Sequence, residues 1–153
     1  MEILAQNRKA RHDYKLLDTF ESGIQLVGTE VKSLRGHHGS ITEAFIIEKD
    51  GELFLHNAHI PAYKQASLNM GHAPLAQRKL LLHRRQIHKI IGGITRKGMT
   101  AIPLKLYLNE RGRIKLALAL AVGMQKADKR QALKEKAWKR EQHQLLKSAQ
   151  HKD

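Results

Sequence analysis

The chain contains no cysteine, which excludes disulfides, a thiolate metal site and a cysteine nucleophile. No run of about 20 apolar residues occurs, and the N-terminus lacks the apolar core of a signal peptide. The expectation is therefore a cytoplasmic protein. Carboxylates are sparse and scattered, with no pair at a spacing that reads as general acid and base. A metal-dependent nuclease would need Asp13, Glu21, Glu30 or Asp50 to meet in space. Gly92-Gly93 lacks the lysine and following Ser/Thr of a phosphate loop. Histidine is abundant, yet His56 and His59 point to opposite faces of a strand, and His83 and His88 diverge by roughly 140° on a helix. No metal or cofactor is implied, and the expectation is a protein that is not an enzyme.

What the chain does have is positive charge. Its 28 Lys+Arg against 14 Asp+Glu leave a net +14, a surplus that points to a polyphosphate partner or an anionic membrane. Residues 124–153 carry nine of the cations (Lys126, Lys129, Arg130, Lys134, Lys136, Lys139, Arg140, Lys147, Lys152) and four acids (Asp128, Glu135, Glu141, Asp153). This segment has no Pro or Gly and consists mostly of good helix formers. On a helix, Ala127, Trp138, Leu145 and Ala149 form one thin apolar stripe, with Leu146 at its margin. That stripe is narrower than the roughly 100° face needed to dock on a core, and too thin to hold a membrane surface. A solvated, fraying tail is one outcome; a segment that becomes helical against a polyanion is the other. The domain division expected is 1–123 as a basic globular body and 124–153 as the tail.

Within the body, 1–14 shows no apolar period and reads as an extended basic arm, either mobile or gripping phosphate. Tyr14 to Val27 is β-like around a turn signal at Ser22-Gly23. Thr29 is the candidate N-cap of a short helix that carries Lys32 and Arg35 and stops at Gly36. Ile41 to Leu55 reads as a hairpin turning at Asp50-Gly51, and Pro61 ends the strand around Ile60. Residues 64–78 read as a loop. The spacing predicts a helix from Gln77 to Ile91 terminated by Gly92-Gly93, then alternating strands over Thr100–Leu108 and Ile114–Val122. Five or six short strands with two embedded helices and no parallel crossover predict a mainly β fold. The expected form is a small closed antiparallel β-barrel of the oligonucleotide-binding kind. Basic residues beside aromatic ones in the arm (Arg11, His12, Tyr14) suit RNA, whose unpaired bases can stack. No recognition helix for a DNA major groove is evident.

Several blocks resemble the SsrA-binding protein family, small protein B. They are Asn7-Arg8-Lys9-Ala10-Arg11-His12-Asp13-Tyr14, Gly28-Thr29-Glu30-Val31-Lys32-Ser33-Leu34-Arg35, Arg78-Lys79-Leu80-Leu81-Leu82, Pro103-Leu104-Lys105-Leu106-Tyr107 and Asp128-Lys129-Arg130. The resemblance runs in order over about residues 3–150. It implies an oligonucleotide-binding barrel that holds the tRNA-like end of transfer-messenger RNA and enters ribosomes stalled on a broken message, in place of the missing anticodon stem. It also implies alanyl-transfer-messenger RNA with elongation factor Tu as a partner and a monomeric protein. By that resemblance Asn7, Tyr14, Glu21 and the segment from Lys79 through Leu81 to Leu82 lie on the RNA face, with Arg8, Lys9, Arg11, His12, Lys32 and Arg35 as further RNA-binding candidates. Asp128, Lys129, Arg130, Trp138, Leu145 and Leu146 match tail positions that act in the decoding centre and the empty message channel. The chain departs from the family where Val122, Met124 and Gln125, around Gly123, stand in place of basic residues, and where Ala127 replaces His or Tyr. The expectation is normal RNA affinity with reduced tagging of stalled chains.

Overall fold

The computed structural model describes residues 1–62, 72–123 and Arg140. The chain divides into two units, Met1–Gly123 and Met124–Asp153, and the fold below is that of the first. In chain order the elements are β1 (Glu2–Gln6), α1 (Ala10–Asp13), β2 (Tyr14–Ile24), α2 (Gly28–Arg35), β3 (Phe45–Lys49), β4 (Glu52–His56), β5 (Arg78–Leu81), α3 (Arg84–Arg96), β6 (Thr100–Leu108) and β7 (Ile114–Gly123). The seven strands form one sheet in the order β1-β6-β7-β2-β5-β4-β3, antiparallel at every pairing.

The mainly β class is as expected, but the sheet is open: β1 and β3 are its two edges. Asn7 binds the β6 edge next to β1. Beyond the stretch of β6 that pairs with β1, the Asn7 N–H donates to the Leu104 carbonyl at 2.8 Å and its Nδ2 donates to the Pro103 carbonyl at 3.0 Å. Pro103 has no N–H to offer. β3 rests near β6 without pairing to it.

Local chemistry accounts for most elements. Asp50 and Gly51 both have positive φ (53° and 79°), the geometry of a two-residue turn matched to strand twist, and β3 and β4 pair across it from Lys49↔Glu52 to Phe45↔His56. The strand ends at His56, while His59 makes only an isolated bridge to Ser40. The N-terminal arm is a strand followed by one helical turn, not an extended lead-in. Ser22-Gly23 is no turn; β2 runs through it, Ser22 is buried, and Gly23 pairs with Leu81. Helix α2 starts two residues earlier than the expected cap at Thr29 implied, its N-cap being Val27, whose N–H donates to Glu30 Oε1 at 2.9 Å; it ends at Gly36 as read.

The largest correction concerns 77–91. Arg78–Leu81 is the strand β5, and the helix begins only at Arg84, with the His83 N–H accepted by Gln86 Oε1 at 3.3 Å. The helix also continues through Gly92-Gly93 to Arg96. Gly93 stays in it because a Cβ there would lie 2.9 Å from Leu120 Cδ1; the glycine admits close packing on β7 and ends nothing.

One main core joins the sheet to α2 and α3. Leu34, Leu53, Leu55, Leu80, Ile90, Leu106, Leu116 and Leu118 are fully buried in it, each such side chain contributing about 1.5–3 kcal/mol. Within it sits an ion pair. Arg78 bonds to the Glu30 carboxylate, and both residues are buried. Arg78 also donates to the carbonyls of Ala58 (2.9 Å), Pro74 (3.1 Å) and Ala73 (3.3 Å). His72 adds Nε2 to the Ile60 carbonyl at 2.8 Å and Nδ1 to Thr29 Oγ1 at 2.9 Å. Together they fasten 58–60 and 72–74 to α2 and β5.

Candidate nucleic-acid interface

Side chains alternate across a strand, so strand register decides which candidates share a face. Glu21 stands opposite Ala117 and Gly23 opposite Lys115; Ala117 stands opposite Lys105 and Lys115 opposite Tyr107. On the other side, Gly23 stands opposite Leu81, with Lys79 two residues back on the same face. One surface therefore carries Lys105 and Tyr107, then Ala117 and Lys115, then Glu21 and Gly23, then Lys79 and Leu81. Its floor is made of small residues. A Cβ at Gly23 would sit 3.1 Å from Leu81 Cβ, so the glycine permits β5 to approach.

A cleft of about 620 Å³ opens here, walled by Glu21, Lys79, Leu81, Lys115 and Arg84. Leu81 is 52% exposed, an apolar side chain presented to solvent beside cations. Toward the N-terminus a second hollow of about 390 Å³ is lined by Asn7, Arg8, Arg11 and Lys105. Lys105 continues this face, its Nζ lying 5.5 Å from the centre of the Tyr107 ring, a cation–π distance. Burial first, then the Glu21 bond and charge, push the Tyr107 hydroxyl up to about 12.

A third hollow of about 320 Å³ holds Asn7, Lys9, Tyr14 and the exposed ring of Phe45. Phe45 stacks on His56 with ring centres 4.9 Å apart. The Asn7 Oδ1 is buried there with no partner among the described residues.

Of the sequence candidates, Asn7, Arg8, Arg11, Glu21, Lys79 and Leu81 fall along the continuous face, and Lys9 and Tyr14 beside it. His12 is exposed on α1 but lines none of the three hollows. Lys32 and Arg35 lie apart on α2, where Arg35 Nη2 reaches the Gly112 carbonyl at 3.5 Å. Asp128, Lys129, Arg130, Trp138, Leu145 and Leu146, with the departures at Met124, Gln125 and Ala127, lie outside the described residues. Val122 is exposed at the end of β7. Sequence reading missed Lys105, Tyr107, Lys115 and Arg84 as members of this face. The alternation of Lys105 and Tyr107 with Leu104 and Leu106 was the available signal.

Known proteins bear on this surface. The family model described as SmpB protein matches residues 4–148. The SsrA-binding protein of Afipia carboxidovorans is 52% identical over 148 residues, spanning 97% of this chain and 94% of the relative. That of Neorickettsia sennetsu is 51% identical over 142 residues, spanning 93% and 96%. A solved structure described as "tmRNA-SmpB: a journey to the center of the bacterial ribosome" contains a chain 44% identical to this one. The two superpose with a TM-score of 0.66, covering 84% of this chain and 92% of that chain.

Proposed function

Since the chain belongs to the SmpB family of SsrA-binding proteins, we propose that it binds the tRNA-like part of transfer-messenger RNA and brings it to ribosomes stalled on broken messages. The observation that carries this reading is the continuous face from Arg8 and Arg11 through Lys105 to Lys115, Lys79 and Arg84. Cations on such a face gain affinity by releasing counterions from the phosphate backbone, and they position the RNA without reading its sequence. Leu81 and Tyr14 offer apolar and aromatic surface to unpaired bases. In this reading residues 1–123 hold the RNA, and 124–153 form a separate basic tail that takes helical shape on ribosomal RNA. Asp128, Lys129 and Arg130 then act at the decoding centre, and Trp138, Leu145 and Leu146 in the message channel. The protein works as a cytoplasmic monomer, with elongation factor Tu delivering the alanyl-charged RNA.

Gel shifts of the full chain against the tRNA-like RNA, an ordinary tRNA and ribosomal RNA fragments of equal length test the proposal. A clear preference for the tRNA-like RNA at moderate salt is expected. Equal affinity for all three would mark a general ribosomal RNA-binding factor instead.

A further inference from the structure

Helix α3 goes against two local rules of helix electrostatics. Arg84 and Arg85 stand in its first turn, where the helix dipole disfavours cations. Arg85 and Lys89 then sit four residues apart, a destabilising spacing for like charges. No Asp or Glu occurs in the helix, so no ion pair within it offsets either cost.

At 100° per residue Arg85, Lys89, Gly92 and Arg96 fall within about 60° of one another, with His88 beside them. Ile87, Ile90, Ile91 and Ile94 lie on the opposite side of the helix. Burial follows the same division: Ile87 and Ile90 are buried, while Arg85, His88, Lys89 and Arg96 are exposed. The isoleucine side docks α3 on the core, and packing asks for no cations on the other. Arg85 and Arg96 have no ion pair among the described residues. Lys89 lies 3.6 Å from Asp18, both side chains being more than half exposed. An exposed pair of that kind is weak.

This stripe begins at the cleft beside β5. Arg84, Gln86 and Ile87 line that cleft, and from Arg85 to Arg96 the stripe runs about 16 Å along the helix axis. Its chemistry differs from that of the cleft. No Phe, Tyr or Trp occurs in α3, so it offers no such ring for an unpaired base to stack on. Gly92 lies mid-stripe with no atom within 4 Å of the place a Cβ would take, so no side chain holds off an approaching backbone. A row of cations without base-reading groups suits the phosphates of paired RNA.

Resting on the RNA-binding reading above, we infer that the outer face of α3 is a second RNA contact, a row of cations for the phosphate backbone of a double-helical arm that continues from the RNA held in the cleft. The charges that disfavour the free helix are offset by those phosphates on binding.

The test measures affinity of the full chain for the tRNA-like RNA, and for versions in which each double-helical arm in turn is shortened. Shortening one arm weakens wild-type binding at least about tenfold, and the triple variant Arg85→Gln/Lys89→Gln/Arg96→Gln binds the intact RNA as weakly. On the RNA lacking that arm, wild type and triple variant bind alike. The slope of log affinity against log salt falls by about 2–3 in the triple variant. The open space at Gly92 allows a single charge to be added: Gly92→Glu lowers affinity for the intact RNA several-fold and Gly92→Gln leaves it as it was. Both are at least as stable as wild type in urea. The inference is overturned if no arm matters to the wild type, if the triple variant loses affinity equally for every RNA, or if Gly92→Glu and Gly92→Gln bind alike. A triple variant that binds the intact RNA as wild type does also overturns it, and would leave the stripe to an acidic protein surface. If the triple variant fails to fold, the Gly92 pair decides alone. Absence of any wild-type preference for the tRNA-like RNA would instead remove the functional reading itself, and the comparison of arm lengths would still decide the role of α3.

Discussion

The interior between α2 and β5 and the outer face of β2, β7 and β6 each hold one glutamate, treated in opposite ways. Glu30 is buried and bonded to a guanidinium that also takes three loop carbonyls. Glu21 is exposed, in a cleft it shares with Lys79 and Lys115. A carboxylate out of water must be matched by a cation with its remaining bonds filled, and removing either partner is costly. A carboxylate at the surface needs no such match, because water solvates it and its charge stays available to a ligand. The same residue type is therefore structural in one region and available in the other, and the partner decides which.

The sharpest break of this contrast is Arg78→Met. It leaves Glu30 buried without a cation and strips donors from the Ala58, Ala73 and Pro74 carbonyls, at an expected cost of about 3–5 kcal/mol in urea unfolding. A loss below about 1 kcal/mol would mean the interior pair is not structural. Next in size is an alkaline effect at Tyr107. Its folded pKa of about 12 exceeds the ordinary 10.0, so the native state holds the proton more tightly than the unfolded chain does. The resulting stabilisation is fully present below pH 10 and is lost as pH rises toward 12. The wild-type minus Tyr107→Phe stability difference, followed from pH 8 to 12, should fall across that window; a flat difference would deny the burial and the Glu21 bond.

On the outer face, Lys79→Ala should weaken RNA binding by roughly 1 kcal/mol whatever the sequence and reduce the salt slope by about 1, with urea unfolding unchanged. A stability loss equal to that of Arg78→Met would erase the distinction between the two regions. The smallest effect is a control remote from both glutamates. Gly92 has open space around its Cβ position, so Gly92→Ala should stabilise α3 by about 0.5–1 kcal/mol and leave RNA affinity as it was. Destabilisation there would mean the helix does break at the paired glycines.

The parts of the fold legible in sequence were those fixed by local chemistry. Asp50-Gly51 specified its hairpin, Gly36 stopped α2, and the alternating runs at 100–108 and 114–122 became β6 and β7. The misread elements depended on partners far along the chain. Arg78-Lys79-Leu80-Leu81 fits a helix or a strand by pattern alone; β2 and β4 on either side make it a strand. A buried arginine there reads as a polar surface position until Glu30 is placed beside it. Gly93 looked like a stop, but its missing side chain accommodates Leu120. The open sheet was equally hidden: nothing local in β3 or β6 announces that the two do not pair. Of the candidate face, the signature blocks supplied Asn7, Arg8, Arg11, Glu21, Lys79 and Leu81. Tyr107 was hidden because only the register of β6, β7 and β2 puts it on the face of Glu21.

Among the described residues the first strand pairs in the sheet with the sixth alone, Glu2 opposite Leu108 and Gln6 opposite Lys105. During synthesis the opening residues must therefore wait, unpaired, until most of the body has left the ribosome. Such long-range closure is the slow step of β topologies. A copy cut short before β6 could not cover Leu4 or complete the sheet, and would expose sticky strand edges to its neighbours. Incomplete translation is thus a hazard to this molecule's own manufacture.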